Sequence, residues 1–349
     1  MMNNTMKTQV GNLPQGTTIF GKWHKNSYTI VKMLGYGATG YVYLTRSANG
    51  FAALKISENS TSITSEVNVL RHFSKVRGFS LGPSLLDVDD WERSRGRPTF
   101  SFYVMEYLEG EAFLEFIQKK GMEWTGILIL QLLTDLQTLH SEGWVFGDLK
   151  PDNLIVTSNP PKVRLIDVGG TTIKGRAIKE FTEFFDRGYW GLGTRKAEPT
   201  YDLFAVAMIM VHTCYPKQFQ KTGDGGMKQL SSYIQGNQWL RRYEKILVHA
   251  LSGDYVSAVE MKKDFLQVLS YSQSSQKVQA TSTVKAKKTT STNAASNRMS
   301  KRQQQSQSKP ASQSQVAPAR SKSKGFLETS VLLTVVLVAY FFYIYGQLL

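Results

Sequence analysis

Gly147-Asp148-Leu149-Lys150-Pro151-Asp152-Asn153 places a carboxylate, an ammonium and a carboxamide within seven residues, on a segment that Pro151 keeps from continuing a helix. Regular elements flank it. Upstream, Ile129, Leu132, Leu133, Leu136, Leu139 and His140 recur at helical spacing and stop at Gly143, a C-terminal helix signal. Downstream, the runs Leu154–Val156 and Val163–Ile166 read as short strands, and Asp167 follows Asn153 by fourteen residues in Ile166-Asp167-Val168-Gly169. Asn153 and Asp167 therefore bracket a strand pair with hard oxygen donors, which suits a divalent cation that bridges phosphates. Asp, Pro and Asn also build ordinary turns, so the reading depends on what precedes them.

What precedes them is rich in strands. Tyr28–Leu34 and Tyr41–Thr45 are β-rich runs joined by Gly35-Tyr36-Gly37-Ala38-Thr39-Gly40, a hairpin with a glycine-rich turn. Phe51–Ile56 follows the turn pair Asn49-Gly50. Ser62–Phe73 has helical character, with Val67, Leu70 and Phe73 along one side, and Tyr103–Tyr107 is a further apolar strand. After Gly110 the character turns helical. Tyr201–His212 is apolar all round and predicts a buried helix. There is no internal repeat. Taken singly, a glycine-rich turn or a strand lysine such as Lys55 says little.

Together, four motifs in this order resemble the Hanks-type (eukaryotic-like) serine/threonine protein kinases, over roughly residues 28–270. The resemblance implies an α+β, bilobal fold, with a small antiparallel β lobe before a large helical lobe. It also implies ATP and Mg²⁺ (or Mn²⁺) as cofactors, and protein hydroxyls as substrates. Gly35, Gly37, Gly40 and Val42 then belong to the loop over the ATP phosphates, and Lys55, in Ala52-Ala53-Leu54-Lys55, grips the α and β phosphates. Asp148 accepts or orients the proton of the attacking hydroxyl, and Lys150 neutralises the transferring phosphoryl group. Asn153 and Asp167 hold the metal. Glu66 is the expected ion-pair partner of Lys55, although a spacing of eleven demands a tight connection; Glu58 is the nearby rival. Met105 matches the gatekeeper, and Glu106 and Leu108 match the hinge residues whose backbones bond adenine. Asp202 resembles the aspartate that braces the catalytic loop. Two further readings share the fold: a pseudokinase scaffold, and a kinase for small molecules.

Three departures stand out. Phe146 and Gly147 occupy the places where the family usually has His and Arg. That arginine pairs with a phosphorylated activation-segment residue, so its absence argues against activation by that route. Val168 replaces a usual Phe. Gly188-Tyr-Trp-Gly-Leu-Gly193 stands where Ala-Pro-Glu is expected, and no arginine lies near Tyr255 to pair with that glutamate. Losing both partners leaves no unpaired buried charge.

Composition changes abruptly near residue 270. Residues 1–27 form an N-terminal extension without the apolar stretch of a signal peptide, and the block to residue 270 is rich in Leu, Val, Phe, Tyr and Trp. With Cys214 as the only cysteine, the chain builds no internal disulfide, and a reducing compartment is the simpler expectation. Residues 271–325 are Ser, Thr, Gln, Ala and Asn with interspersed Lys and Arg, a composition expected to be disordered. Between Phe265 and Leu327 there are eleven Lys or Arg and no acid, so this end carries +10 of the net +15 once Glu328 is counted. Residues 329–349 hold no charge and, as a helix, reach about 30 Å, the thickness of a hydrocarbon core. Arg320, Lys322 and Lys324 precede them, which predicts a single-pass C-terminal tail anchor in the cell membrane with the bulk of the chain cytoplasmic.

Lys285, Lys287, Lys288, Arg298, Lys301 and Arg302 make the linker a candidate polyanion binder, for DNA or for anionic lipid. A tail-anchored Hanks kinase with a basic tether is similar to the sporulation-associated kinases of Bacillus-type bacteria. That likeness implies DNA-responsive activity, with self-association for trans-phosphorylation.

Overall fold

The computed structural model describes residues 10–76, 82–93, 98–223 and 225–270, all within one compact unit. The linker and the expected membrane span lie outside these residues. Among the described residues, no helix is long and apolar enough to cross a membrane.

The first lobe is a six-stranded antiparallel sheet. Its strands are β1 (Thr18–Phe20), β2 (Ser27–Gly37), β3 (Gly40–Ser47), β4 (Gly50–Ser57), β5 (Leu85–Glu92) and β6 (Thr99–Glu106), in the order β1-β2-β3-β4-β6-β5. The expected strands from Tyr28 to Ile56 are all present, each a little longer than its apolar run. Two strands were not expected, β1 and β5, and they are the sheet's two edges. The edges meet: the Lys22 N–H donates to the Asp90 carbonyl at 2.8 Å. The sheet packs around Ile19, Tyr28, Ile30, Tyr43, Leu54, Ile56, Phe102 and Val104, the interior of this lobe.

Two aspartates of β5 fasten this closure. Asp89 accepts the N–H groups of Trp23 and His24 at 2.9 and 2.8 Å. Asp87 accepts from Asn26 Nδ2 at 2.9 Å and from the Tyr28 hydroxyl at 2.6 Å, and lies 2.6 Å from His24 Nδ1. Residues 18–28 thus pack against the far edge of the same sheet. Burial alone would raise the Asp87 carboxyl, but donors from Asn26, Tyr28 and His24 hold it below its usual value. The hydrogen bond and charge of Asp87 raise the exposed His24 imidazole. A raised histidine stabilises the fold at pH below its unfolded value and loses that effect as pH rises through the folded one. The melting-temperature loss in His24→Ala is accordingly expected to be larger at about pH 5.5 than at about pH 9. Equal losses at both would contradict the clasp.

Helix α1 (Ser60–Phe73) follows β4 after two residues, because Asn59 caps it by accepting from Thr61 and Ser62 N–H at 3.1 and 3.3 Å. Ile63, Val67, Leu70 and Phe73 face inward at helical spacing, and Glu66 shares that face. In the second lobe come β7 (Gly110–Ala112), α2 (Phe113–Lys120), α3 (Glu123–Ser141), β8 (Trp144–Val145), β9 (Leu154–Thr157), β10 (Lys162–Leu165) and β11 (Thr172–Ile173). They are followed by α4 (Pro199–Cys214), α5 (Gly226–Gly236), α6 (Gln238–Arg241), α7 (Glu244–Ser252) and a helix at 258–270. Helix α3 ends as its glycine predicts, with Gly143 at φ +80°. Helix α4 is the expected buried one, with every side chain from Tyr201 to Val211 enclosed, between α3 and α7. Burial pushes the lone thiol, Cys214, up to about 11, so it is not a poised nucleophile.

Candidate active site

A cleft of about 420 Å³ opens between the lobes, with Gly35, Gly37, Gly40 and Val42 on one wall and Met105, Glu106 and Leu108 at its back. Lys55, Asn153 and Asp167 also line it. Pairing of β3 with β4 sets Val42 opposite Lys55, and pairing of β4 with β6 sets Lys55 opposite Tyr103.

The short connection to α1 makes the Lys55–Glu66 pair possible. Lys55 Nζ lies 2.9 and 2.8 Å from the two Glu66 oxygens and 3.5 Å from Asp167 Oδ1. The Tyr103 hydroxyl donates to Glu66 at 2.7 Å. A buried pair of this kind needs such extra hydrogen bonds to offset desolvation. Burial alone would lower the Lys55 ammonium, but the charges of Asp167 and Glu66 outweigh it and hold it above its ordinary value. Lys55 is therefore a fixed cation. Glu58 lies exposed before the cap and plays no part.

The catalytic loop hangs on α4. Asp202, with no exposed side-chain surface, accepts the N–H groups of Phe146 and Gly147 at 2.8 and 2.9 Å. His140 Nε2 lies 2.9 Å from the same carboxylate. Phe146 fills an apolar position, as expected, and Val168 is buried in the same core. Asp148 then meets Lys150 Nζ at 2.6 Å, and Asn153 Nδ2 donates to the Asp148 carbonyl at 2.8 Å. That bond occupies the amide nitrogen of Asn153 and leaves its Oδ1 for other use.

Thr182, which sequence reasoning missed, completes this group. Its hydroxyl donates to Asp148 Oδ1 at 3.1 Å and accepts from Lys150 Nζ at 3.0 Å. Glu180, also missed, is half-buried; burial first, and then the Asp167 charge, raises its carboxyl against the pull of Lys55. Neither residue belongs to a motif, and both sit in an irregular segment whose partners are far away in the chain.

The segment without the Ala-Pro-Glu pattern is held by a different set of contacts. The buried Asp186 accepts from Arg195 Nε at 2.8 Å, the Tyr201 hydroxyl at 2.8 Å, and the N–H groups of Gly188 and Tyr189 at 3.0 and 2.9 Å. Trp190 is fully buried and donates to the Phe184 carbonyl at 3.0 Å. Tyr255 bonds Asp264 at 2.8 Å instead of serving this segment. A local ion pair and an indole thus replace a distant one.

The glycine-rich turn needs one refinement. Only Gly40 has a backbone that other residues avoid, at φ +144°, with space for a Cβ blocked 2.5 Å away by the Ile56 carbonyl. Gly35 and Gly37 face open space. Their lack of side chains keeps the cleft roof clear.

Residues 28–287 match the protein kinase domain family, and the chain belongs to it. It is a serine/threonine protein kinase. Over 344 residues it is 48% identical to serine/threonine-protein kinase YabT of Bacillus subtilis (strain 168), covering 99% of this chain and 98% of that one. It is also 28% identical over 160 residues to the probable serine/threonine-protein kinase CPE1738 of Clostridium perfringens, across 43% of this chain and 22% of that one. Among solved structures, vaccinia related kinase 3 superposes with a TM-score of 0.57 at 15% identity, over 77% of this chain and 94% of that one. The PknI kinase domain of Mycobacterium tuberculosis does so with 0.50 at 17% identity, over 74% and 99%. At such identities these two are likenesses of fold alone.

Proposed function

We propose that this kinase works at the inner face of a membrane and that a polyanion, DNA, held by its basic linker stimulates phosphate transfer to protein serine and threonine. Protein kinases use ATP and a divalent metal, and the residues here fit both. Lys55 is charged and points at Asp167, Gly35 and Gly37 leave room for phosphates, and Asn153 and Asp167 present oxygen donors of the kind Mg²⁺ takes. The nucleotide supplies the γ-phosphoryl group when bound. Asp148 orients the substrate hydroxyl and takes its proton. Lys150, bonded to Asp148 and Thr182, offsets charge on the phosphoryl oxygens. Lys55, fixed by Glu66, holds the α and β phosphates, while the Glu106 carbonyl and the Leu108 N–H receive the base. The Glu106 N–H is engaged with the Ser84 carbonyl at 2.9 Å.

The observation that carries this site reading is the convergence of Asp148, Lys150, Thr182 and Asn153 beside the Lys55–Glu66–Asp167 group. For the membrane and DNA, the support is composition: eleven cations without an acid, then an uncharged 21-residue stretch. Flexible cationic chains bind polyanions through counterion release, so affinity falls steeply with salt. Clustering on DNA brings copies together, which favours transfer between them.

The test uses the full chain in detergent, with duplex DNA or anionic vesicles at two salt concentrations. Stimulation by DNA at low salt that is lost when Lys285, Lys287, Lys288, Lys301 and Arg302 are changed to Gln is the expected result. Stimulation by vesicles alone, or by DNA without need of those five residues, would overturn the DNA reading.

A further inference from the structure

The residue before Asp148 has no side chain, and nothing cationic at that position can hold the activation segment. Gly147 sits at φ +85°, and a Cβ there would lie 2.8 Å from the Gly170 carbonyl and 3.3 Å from Ile178 Cδ1. Gly170 is the reciprocal case, since its Cβ would meet Asp148 Cβ at 2.9 Å. Two glycines therefore let the catalytic loop and the start of the segment touch through their backbones. Ile178 covers the contact.

Ile178 is 8% exposed, while Ala177 and Lys179 on either side are exposed. It belongs to a small apolar cluster apart from the main core, with Val145 of β8, Ala197, and Tyr201 of α4. The backbone fixes the same place. Ile178 N–H donates to the Arg195 carbonyl at 2.9 Å, Ala197 N–H to Arg176 at 2.7 Å, and Gly175 N–H to Ala197 at 2.8 Å. Four residues further on, Thr182 bonds Asp148 and Lys150. Beyond it, Asp186 binds the Tyr201 hydroxyl. Thr182 therefore lies between two attachments: Ile178 in the small cluster on one side, and on the other Asp186 with Phe184 and Phe185 buried in the main core.

We propose that Ile178 is a positioning residue: its packing against Val145, Ala197 and Tyr201 holds Thr182 on Asp148, so that the segment is competent without a phosphate on it. This rests on the role given to Asp148 above. Apolar packing of this kind requires no charge at residue 147. Ile178 does not line the nucleotide cleft, so the KM for ATP reads contacts other than its own.

The experiment measures initial rates on the full chain, treated with phosphatase and shown by mass spectrometry to carry no phosphate. Wild type is expected to transfer without a lag. Ile178→Asn is expected to lower kcat about 10–100-fold, with KM for ATP within about twofold, because a misplaced catalytic group costs rate more than ground-state binding. Ile178→Val is expected to stay near wild type. If Ile178→Asn does not fold, judged by thermal melting and ATP binding, Ile178→Thr, close in shape to valine, takes its place. A lag that preincubation with ATP removes, with a gain of about tenfold or more, would overturn the proposal. So would an unchanged kcat in the polar variant, or an equal loss in Ile178→Val. Asp148→Asn is run in parallel: wild-type rates in that variant would refute the role of Asp148, whatever residue 178 does.

Discussion

Asp148→Asn lowers kcat for phosphate transfer about a thousandfold while ATP affinity stays within about twofold. Asp148 is a partly exposed carboxylate beside three organised neighbours: Lys150 Nζ at 2.6 Å, Thr182 Oγ1 at 3.1 Å, and Asn153 on its carbonyl at 2.8 Å. An asparagine keeps the shape but cannot accept a proton from the substrate hydroxyl. Loss of a positioned base costs about 10²–10⁴ in rate. The effect falls on kcat because the nucleotide is held by Lys55, Gly35, Gly37 and the hinge, none of which touches Asp148. Titration with a fluorescent nucleotide alongside steady-state kinetics separates the two. A loss mainly in nucleotide affinity would contradict the assignment.

Asp202→Asn is expected to destabilise the fold by about 1–3 kcal/mol and to reduce kcat at the same time. Its carboxylate receives two backbone N–H groups and faces His140, all away from water. An amide presents one acceptor oxygen and one NH₂, so the NH₂ must face a donor, and a buried N–H loses its partner. Phe146 and Gly147 then shift, and Asp148 moves with them. For a domain of this size, the melting temperature should fall by about 5 °C. A variant with wild-type melting and wild-type rate would show that the brace is dispensable.

The chemistry was legible in the sequence because each of its parts is both local and unusual. Gly147 to Asn153 and Ile166 to Gly169 carry four of the decisive side chains, Asp148, Lys150, Asn153 and Asp167, in two short runs, and Lys55 lies near the end of an apolar strand. Glu66 was legible too, since Asn59 caps α1 directly after β4 and puts residue 66 on the inward face. What escaped was whatever depends on distant partners. The strand β1 is three residues long, and β5 reads as polar because Asp87, Asp89 and Asp90 interrupt it. Those acids find their donors more than fifty residues away, in Trp23, His24, Asn26 and Tyr28.

Thr182 and Asp186 are ordinary residues in an irregular segment, and their meaning lies in Asp148, Arg195 and Tyr201. The missing Arg before Asp148 reads in the sequence only as a loss. In the fold, the glycine at 147 lies against the Gly170 backbone and Ile178, a contact that shows only when the two loops are seen touching.

The most direct test of the central claim is the first turnover of the phosphate-free full chain with labelled ATP and Mg²⁺, followed by phosphoamino-acid analysis of protein substrate. The account predicts phosphoserine or phosphothreonine at once, and its formation about a thousandfold slower from Asp148→Asn. Bound ATP with no transfer in any condition would contradict it.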